Sequence, residues 1–347
     1  MNTAVPAVLE RLLAGQDLEA AQMTALMERI LGGEASPAQV GALLIALRMK
    51  GETVTEIAAA AQVMRALANT VTLPDGPVVL DTCGTGGDGQ SLFNVSTAVA
   101  FVAAAAGARV AKHGNRSVSS RCGSADLLET AGVRLDLTPA EVATCIAELG
   151  IGFLFAPAHH GAMRHAIGPR RELGVRTLFN LLGPLTNPAG ATHQLVGVFD
   201  ARWTAPLARV LGELGSRHVL VVHAEDGLDE ISIAAPTRIA EWYAGELREY
   251  TLRPLELGLA SHDLTPLRVE DAAASLAMIR EVFAGARGPA RDMVVANAAA
   301  ALYAADLVPD LPAGMARAAA LIDAGEPARR LERLAALTQR LGAARDG

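Results

Sequence analysis

Aromatic residues make up only 3% of the 347-residue chain, against 51% hydrophobic residues overall. A core so short of rings must be assembled from Ala, Leu and Val, and helices with small side chains must pack closely to fill it. Cysteine is also scarce. Cys83, Cys122 and Cys145 are odd in number, widely separated and free of any Cys-x-x-Cys spacing. That excludes a disulfide framework, gives no zinc knuckle, and suits a reducing compartment. Long apolar runs are missing too: residues 98–106, the most apolar stretch, are far too short to span a bilayer. The N-terminus carries neither the charged segment nor the apolar run of a secretory signal, so a soluble cytoplasmic protein is expected. Basic charge is in deficit, with 30 Lys and Arg against 37 Asp and Glu and a net charge of −7. This argues against a general nucleic-acid binder and requires any anionic ligand to be held by a local site.

Glycine, by contrast, is concentrated where it matters. Gly84, Gly86, Gly87 and Gly89 follow the apolar run 78–80 and precede Phe93-Asn-Val-Ser-Thr97. A strand ending in such a loop can turn successive backbone N–H groups toward an anion. Ser96 or Thr97 is placed to cap the Ala-rich helix that runs to about residue 106, and the helix N-terminus adds positive potential. The same glycines match Gly-x-Gly-x-x-Gly, the dinucleotide fingerprint, and a ligand-free glycine turn is the bland alternative. The dinucleotide reading needs a helix opening among the glycines and an acid after the next strand. Here residues 90–94 intervene, and the next strand, near 109–111, ends in Lys112-His113. A phosphate or pyrophosphate cradle fits better.

The chain is long enough for one large or two modest domains. Residues 1–72 read as helices only. Ser36-Pro-Ala-Gln39 opens a helix to about residue 49, and Thr53-Val-Thr-Glu56 another through 68; both are capping boxes. Leu73-Pro-Asp-Gly-Pro77 is turn chemistry that reads as a hinge. From 78 to 347, short apolar runs at 78–80, 109–111, 151–155, 195–199 and 219–223 alternate with helical stretches near 96–106, 124–131, 139–149 and 205–214. A third capping box, Thr138-Pro-Ala-Glu141, opens one of these. The alternation predicts an α/β fold: a small all-helical domain followed by a larger domain with a mostly parallel central sheet flanked by helices. Residues 231–254 look hairpin-like, and the tail from 269 is Ala-rich helix. Ligands belong at the carboxyl ends of the strands.

Three further polar clusters carry chemistry. Lys112-His-Gly-Asn-Arg-Ser-Val-Ser-Ser120, beside Gly123-Ser124, offers cations, an amide and hydroxyls for phosphate at a strand's carboxyl end. Asp226-Gly-Leu-Asp229-Glu230 pairs carboxylates beside the expected phosphate site, which suits Mg²⁺ shared with substrate phosphates. An exposed turn would be the reading if that motif stood alone. His159-His160 and Arg170-Arg-Glu-Leu-Gly-Val-Arg176 form the third cluster. The histidine pair is more often structural than catalytic, and either Arg170 or Arg176 could take a carboxylate bidentately. Asn180-Leu-Leu-Gly-Pro-Leu-Thr-Asn-Pro188 reads as a structural helix end with turns.

In their order and spacing, the glycine loop with Phe93–Thr97, Lys112–Ser120 with Gly123–Asp126, Arg170–Pro188 and Asp226–Glu230 resemble the anthranilate phosphoribosyltransferase family of tryptophan biosynthesis, over nearly the whole chain. The resemblance implies a nucleoside phosphorylase-like phosphoribosyltransferase fold. It further implies a homodimer contacting through the helical domain with part of 160–185, and transfer of phosphoribose from 5-phosphoribosyl 1-diphosphate to anthranilate. By the same resemblance Gly84, Gly87, Asp88, Asn94, Val95, Ser96 and Thr97 hold the donor. Lys112, His113, Gly114, Asn115, Arg116, Ser117, Ser119, Ser120 and Ser124 do so as well. Gly84, Asn115 and Arg170 face anthranilate, with His113 and His160 as further candidates. Two Mg²⁺ ions per subunit are implied, one reached by Ser96 and one by Asp229 with Glu230. The chain departs at Leu92, where the family usually has Thr or Ser. No residue is singled out as acid or base, since the amine is neutral; transition-state binding by Lys112 and the metals is the expected source of rate. A nucleoside phosphorylase-like enzyme, a non-catalytic nucleic-acid-binding paralogue and an NADP oxidoreductase are the alternatives. The first fits the glycine loop and paired acids less well, the second predicts a basic surface, and cofactor titration would reveal the third.

Overall fold

The computed structural model of the chain describes residues 4–76, 78–117, 122–260 and 262–346. Four helices come first: α1 (Val5–Leu13), α2 (Ala20–Gly32), α3 (Pro37–Lys50) and α4 (Val54–Ala66). At the start of α3, Ser36 Oγ accepts from the Gln39 N–H at 3.3 Å and Gln39 Oε1 accepts from the Ser36 N–H at 2.9 Å. Thr53 with Glu56 closes the same reciprocal box at α4. Helix α4 stops short of residue 68 because the chain turns there to pair elsewhere. Asn69 N–H donates to the His159 carbonyl at 2.8 Å, and Val71 N–H to that of Pro188 at 2.9 Å.

The sheet has seven strands: β1 (Val79–Gly84), β2 (Arg109–Gly114), β3 (Ile151–Phe155), β4 (His193–Gly197), β5 (His218–Ala224), β6 (Thr237–Tyr243) and β7 (Glu246–Leu252). Their spatial order is β3-β2-β1-β4-β5-β6-β7. The first five are parallel, and β6 and β7 run antiparallel at one edge. That edge is the hairpin expected within 231–254. Its two-residue turn has both residues left-handed, Ala244 at φ 51° and Gly245 at φ 86°, the geometry that matches strand twist.

Helices cover the sheet: α5 (Val95–Ala105), α6 (Ser124–Thr130), α7 (Pro139–Leu149), α8 (Ala156–His159), α9 (Arg164–Leu173), α10 (Phe179–Leu182) and α11 (Thr204–Glu213) lie between strands. Helices α12 (Ala272–Phe283), α13 (Pro289–Ala304), α14 (Leu311–Asp323) and α15 (Glu326–Asp346) form the expected helical tail. Side chains alternate between the faces, as a strand's period of two requires. Leu195, Leu220 and Val222 join a core with α5 and α13, whereas Val196, Val219 and Val221 join one with α11 and the N-terminal helices. The helical unit therefore shares its core with one sheet face. The scarcity of rings is met by close helix contact: a Cβ on Gly314 of α14 would lie 2.8 Å from the Ala299 carbonyl of α13. Among the described residues no helix is long and apolar enough to cross a membrane.

Candidate active site

From β1 the chain crosses to β2 and β3 on one side, then returns to β4 and β5 on the other, so connections diverge at the carboxyl ends of β1 and β4. Open α/β sheets bind ligands at such a switch point. The glycine loop starts there. Thr85 N–H donates to the Gly197 carbonyl at 2.9 Å, and Thr85 Oγ1 accepts from Phe199 N–H at 3.0 Å, tying the loop to the end of β4. Gly86 and Gly87 then take φ of +64° and +81°, which a side chain would disfavour.

The chain after β5 folds back over both strand ends. Asp229 Oδ2 accepts from Gly86 N–H at 3.1 Å. A Cβ on Gly84 would lie 2.7 Å from that oxygen, and one on Gly197 would run into the Asp229 carbonyl. The structure thus brings Gly84, the loop and Asp229 into one place. Glu230 Oε1 accepts from the Ser96 N–H at 3.1 Å, in the first turn of α5. This corrects the expected cap: helix α5 begins at Val95, neither Ser96 nor Thr97 precedes it, and Asn94 at the cap position makes no side-chain cap bond. The helix's free N–H is met by a distant carboxylate instead. Burial, then repulsion from Asp88, pushes the Asp229 carboxyl up to about 7. Burial and Asp229 push Glu230 well above the ordinary range. Asp88 itself is raised, chiefly by burial, and accepts from Gln90 N–H at 3.2 Å. Three mutually repelling acids thus stand beside the N–H groups of the glycine loop, an arrangement that a cation would stabilise.

Lys112 is 3% exposed. Its ammonium donates to the Thr82 carbonyl at 2.5 Å and stands 3.4 Å from Ser96 Oγ. Burial lowers it, with Asp81 opposing. The residue forms the floor of the site, not an outward point charge. Asp81 accepts from His113 N–H at 3.1 Å and from Asn187 Nδ2 at 2.8 Å, which also donates to the Ala111 carbonyl. Asn187 thereby pins β1 to β2, the structural part read from residues 180–188. Asn94 is likewise held inside: its Oδ1 accepts from Ser275 Oγ at 2.8 Å and from Cys122 Sγ at 3.1 Å. Val95 and Thr97 are buried, and Thr97 Oγ1 has no partner among the described residues.

Past Gly114, the chain turns on Asn115 and Arg116. Asn115 is exposed, with its carbonyl accepting from Ala125 N–H at 3.2 Å. Arg116 grips Glu129 through two bonds of 2.7 and 2.9 Å and Asp126 at 3.1 Å, so its cation is already engaged. Ser117 N–H donates to Asp126 at 3.1 Å, and Ser124 Oγ lies 3.5 Å from the Asn115 carbonyl. Ser119 and Ser120 lie outside the described residues.

Helix α10 organises a second group. His113 Nδ1 pairs with the Gly183 carbonyl at 3.1 Å, and its ring meets His160 edge-on at 5.2 Å. Both Nε2 atoms are buried and partnerless among the described residues. Burial is the main cause that lowers His113 to about 3 and His160 to about 4, so both rings are neutral near pH 7. On the other flank the Arg170 guanidinium lies 5.1 Å over Phe179 and makes no hydrogen bond or ion pair to a described residue. Arg176, left as an equal candidate by spacing, is engaged elsewhere, since it donates to the Gly87 carbonyl and stacks over Phe199 at 4.3 Å. Sequence reasoning missed this loop clamp and Gly197. The only sequence signal for Arg176 was its place in the Arg-rich run.

A glycine loop at a sheet switch point, a helix N-terminus and paired acids, with a helical unit packed alongside, define a glycosyl transferase of two-part architecture. Residues 76–328 match the glycosyl transferase family, a/b domain, and residues 6–68 match its helical bundle domain. The chain is 60% identical to the anthranilate phosphoribosyltransferase of Thioalkalivibrio sulfidiphilus, over 97% of this chain and 98% of that protein. The crystal structure of anthranilate phosphoribosyltransferase from Thermus thermophilus is 45% identical with a TM-score of 0.90, covering 96% of this chain and 99% of that one. The Saccharomyces cerevisiae enzyme, solved in complex with PRPP and Mg, is 27% identical with a TM-score of 0.88 over 98% and 99% of the two chains. The chain belongs to the anthranilate phosphoribosyltransferase family.

Proposed function

We propose that this protein transfers the 5-phosphoribosyl group of 5-phosphoribosyl 1-diphosphate to the amine of anthranilate, a step of tryptophan biosynthesis. The observation that carries the reading is the convergence of Gly86, Asp229, Glu230 and Ser96 at the carboxyl ends of β1 and β4. In the reaction the bond from the anomeric carbon to the diphosphate oxygen breaks. A bond from that carbon to the amine nitrogen forms, and the amine's proton leaves to solvent or diphosphate. Positive charge builds on the ribose and negative charge on the leaving group. The backbone N–H groups of the loop and of α5 offer the diphosphate its hydrogen bonds. The unpaired Arg170 guanidinium offers the anthranilate carboxylate a bidentate partner. His113 and His160, neutral near pH 7, add no positive charge beside the amine, which is itself unprotonated at that pH.

Among the described residues no three His, Cys, Asp or Glu side chains form a metal cage. Asp229 and Glu230, raised chiefly by burial and then by repulsion from Asp88 and Asp229 respectively, fit Mg²⁺ taken jointly with substrate phosphates. When bound, the ion neutralises charge on the departing diphosphate. Two ions per subunit, one near Ser96 and one at Asp229 with Glu230, belong to this proposal. So do a cytoplasmic location and a homodimer. Exposed Leu13 on α1, Met49 on α3 and Ile167 on α9 support pairing through the helical unit with part of 160–185. The test is loss of anthranilate fluorescence that requires both the diphosphate donor and Mg²⁺. Loss with ribose 1-phosphate instead would favour a phosphorylase-like enzyme.

A further inference from the structure

Beside the acid pair, the glycine loop between β1 and α5 meets the turn between β5 and β6 and the residues that lead into α12. Gln90 stands at the meeting point. Its Nε2 donates to the Asp226 carbonyl at 3.1 Å, and its Oε1 accepts from Arg268 Nη2 at 3.0 Å. The partners fix the orientation of the amide. A guanidinium has no acceptor and a carbonyl no donor, so the oxygen must face Arg268 and the nitrogen Asp226. The cation also polarises the amide, which strengthens the donor on its far side. Backbone bonds hold Gln90 in place. Its N–H donates to Asp88 Oδ1 at 3.2 Å. The next residue, Ser91, takes a left-handed φ of 55°, an unfavourable conformation for a residue with a side chain. Val269 N–H, donating to the Ser91 carbonyl at 2.9 Å, and the Leu92 bridge to Arg268 keep it there.

The acid turn is thus tied to the glycine loop in two ways. Asp229 meets the Gly86 N–H through its carboxylate, whereas Asp226 meets Gln90 through its backbone. The Asp226 carboxylate is engaged within the turn itself, accepting from Ser232 Oγ at 2.6 Å and Leu228 N–H at 3.4 Å. Past the acid pair, Asn297 of α13 pins Ile231, accepting its N–H at 2.8 Å and donating to its carbonyl at 2.9 Å. A cation drawn to Asp229 and Glu230 would compete with the N–H groups those carboxylates now hold. The Gln90 and Asn297 anchors use no acid, so both survive that exchange.

We propose that Gln90 is a positioning residue for the acid pair, with Arg268 acting through it. The Gln90 amide keeps the Asp226–Glu230 turn in register with the glycine loop while Asp229 and Glu230 turn from backbone N–H groups to a cation. The inference rests on the proposed reading of the site as one that takes Mg²⁺ with a diphosphate donor.

Gln90→Met keeps the length of the side chain and removes both bonds, and Arg268→Met, on the exposed side, removes the outer one. Calorimetric titration of Mg²⁺ into the full-length protein with saturating 5-phosphoribosyl 1-diphosphate reads the effect without turnover. Mg²⁺ affinity should fall at least about tenfold in Gln90→Met and less in Arg268→Met. The double variant should bind no more weakly than Gln90→Met alone, as expected for residues that act through one contact. KM for anthranilate should stay within about twofold, a split that general loosening of the fold does not produce. Melting temperatures check that each variant is folded. Unchanged Mg²⁺ affinity in Gln90→Met overturns the inference, as do additive losses in the double variant or an equal rise in KM for anthranilate. A wild-type protein that takes no Mg²⁺ beside the donor overturns the proposed reading, and this inference with it.

Discussion

Glu230 Oε1 accepts the backbone N–H of Ser96 at 3.1 Å. The anion seat at the N-terminus of α5 is therefore filled by the protein's own carboxylate. In the proposed reaction a donor phosphate taking that N–H would compete with Glu230, and the displaced acid would then be open to a cation. Such an exchange would link donor binding to metal binding without a preformed metal cage. Asp229 is arranged the same way, since its oxygen rests on the N–H of Gly86 in the glycine loop proposed to hold the diphosphate.

Replacing both acids, Asp229→Asn with Glu230→Gln, should lower turnover about 100-fold or more at limiting Mg²⁺. The fold should survive, because both amides can still accept from the Gly86 and Ser96 N–H groups. Relief of repulsion should leave the melting temperature equal or higher. Near-normal turnover at limiting Mg²⁺ would remove the metal assignment.

The same pair sets a pH dependence. Asp229 sits at about 7 and Glu230 well above its ordinary value, so the folded chain holds protons that the unfolded chain releases near pH 4. Stability falls with rising pH wherever the folded state binds more protons. The ligand-free protein should thus melt lower at about pH 8 than at about pH 6, and the double variant should flatten that slope. Mg²⁺ affinity should run the opposite way, rising with pH as the carboxylates ionise. Calorimetry at the two pH values, with and without the double change, checks both signs.

Arg170→Ala should raise KM for anthranilate by about 10- to 100-fold, from roughly 1.5–3 kcal/mol per hydrogen bond to a charged group. KM for the donor should change far less. The guanidinium has no protein carboxylate to lose, so the melting temperature should shift little. Equal loss toward both substrates would place Arg170 with the phosphates.

Features written within a few neighbouring residues were legible in the sequence. The capping boxes at Ser36, Thr53 and Thr138 formed as spaced. The glycine loop fell at a strand end, and the alternation of short apolar runs with helices gave a parallel sheet. What failed was the partner of the α5 N-terminus, which lies 134 residues away in Glu230. A local cap by Ser96 or Thr97 was the nearest solution, but long-range folding supplied a stronger acceptor. Gly197 was overlooked for a related reason. It sits in an apolar strand, and its need for no side chain arises only when Asp229 folds across it. Arg170 and Arg176 were indistinguishable by spacing because their difference comes from α10, which turns one toward Phe179 and leaves the other against Phe199 and the loop.

Leu92 is the site where the family's usual Thr or Ser is missing, and its surroundings decide what Leu92→Thr would do. Leu92 forms an isolated antiparallel bridge with Arg268 and packs, partly buried, against the main core. Flanking bonds fix the segment, with Phe93 N–H donating to the Leu267 carbonyl at 3.0 Å and Val269 N–H to that of Ser91 at 2.9 Å. Threonine tolerates this extended backbone, so the bridge should persist. The lost apolar contact should cost about 1 kcal/mol, with a fall of about 1–2 °C in melting temperature. Leu92 lies just beyond the glycines proposed to face the phosphates, and its side chain is committed to packing. Donor affinity should therefore stay within about twofold, because a hydroxyl there adds at most one neutral hydrogen bond against that lost packing. Donor titration and a melt on the same sample separate the alternatives. Clearly tighter donor binding with an unchanged melting temperature would show that this side chain faces the donor instead.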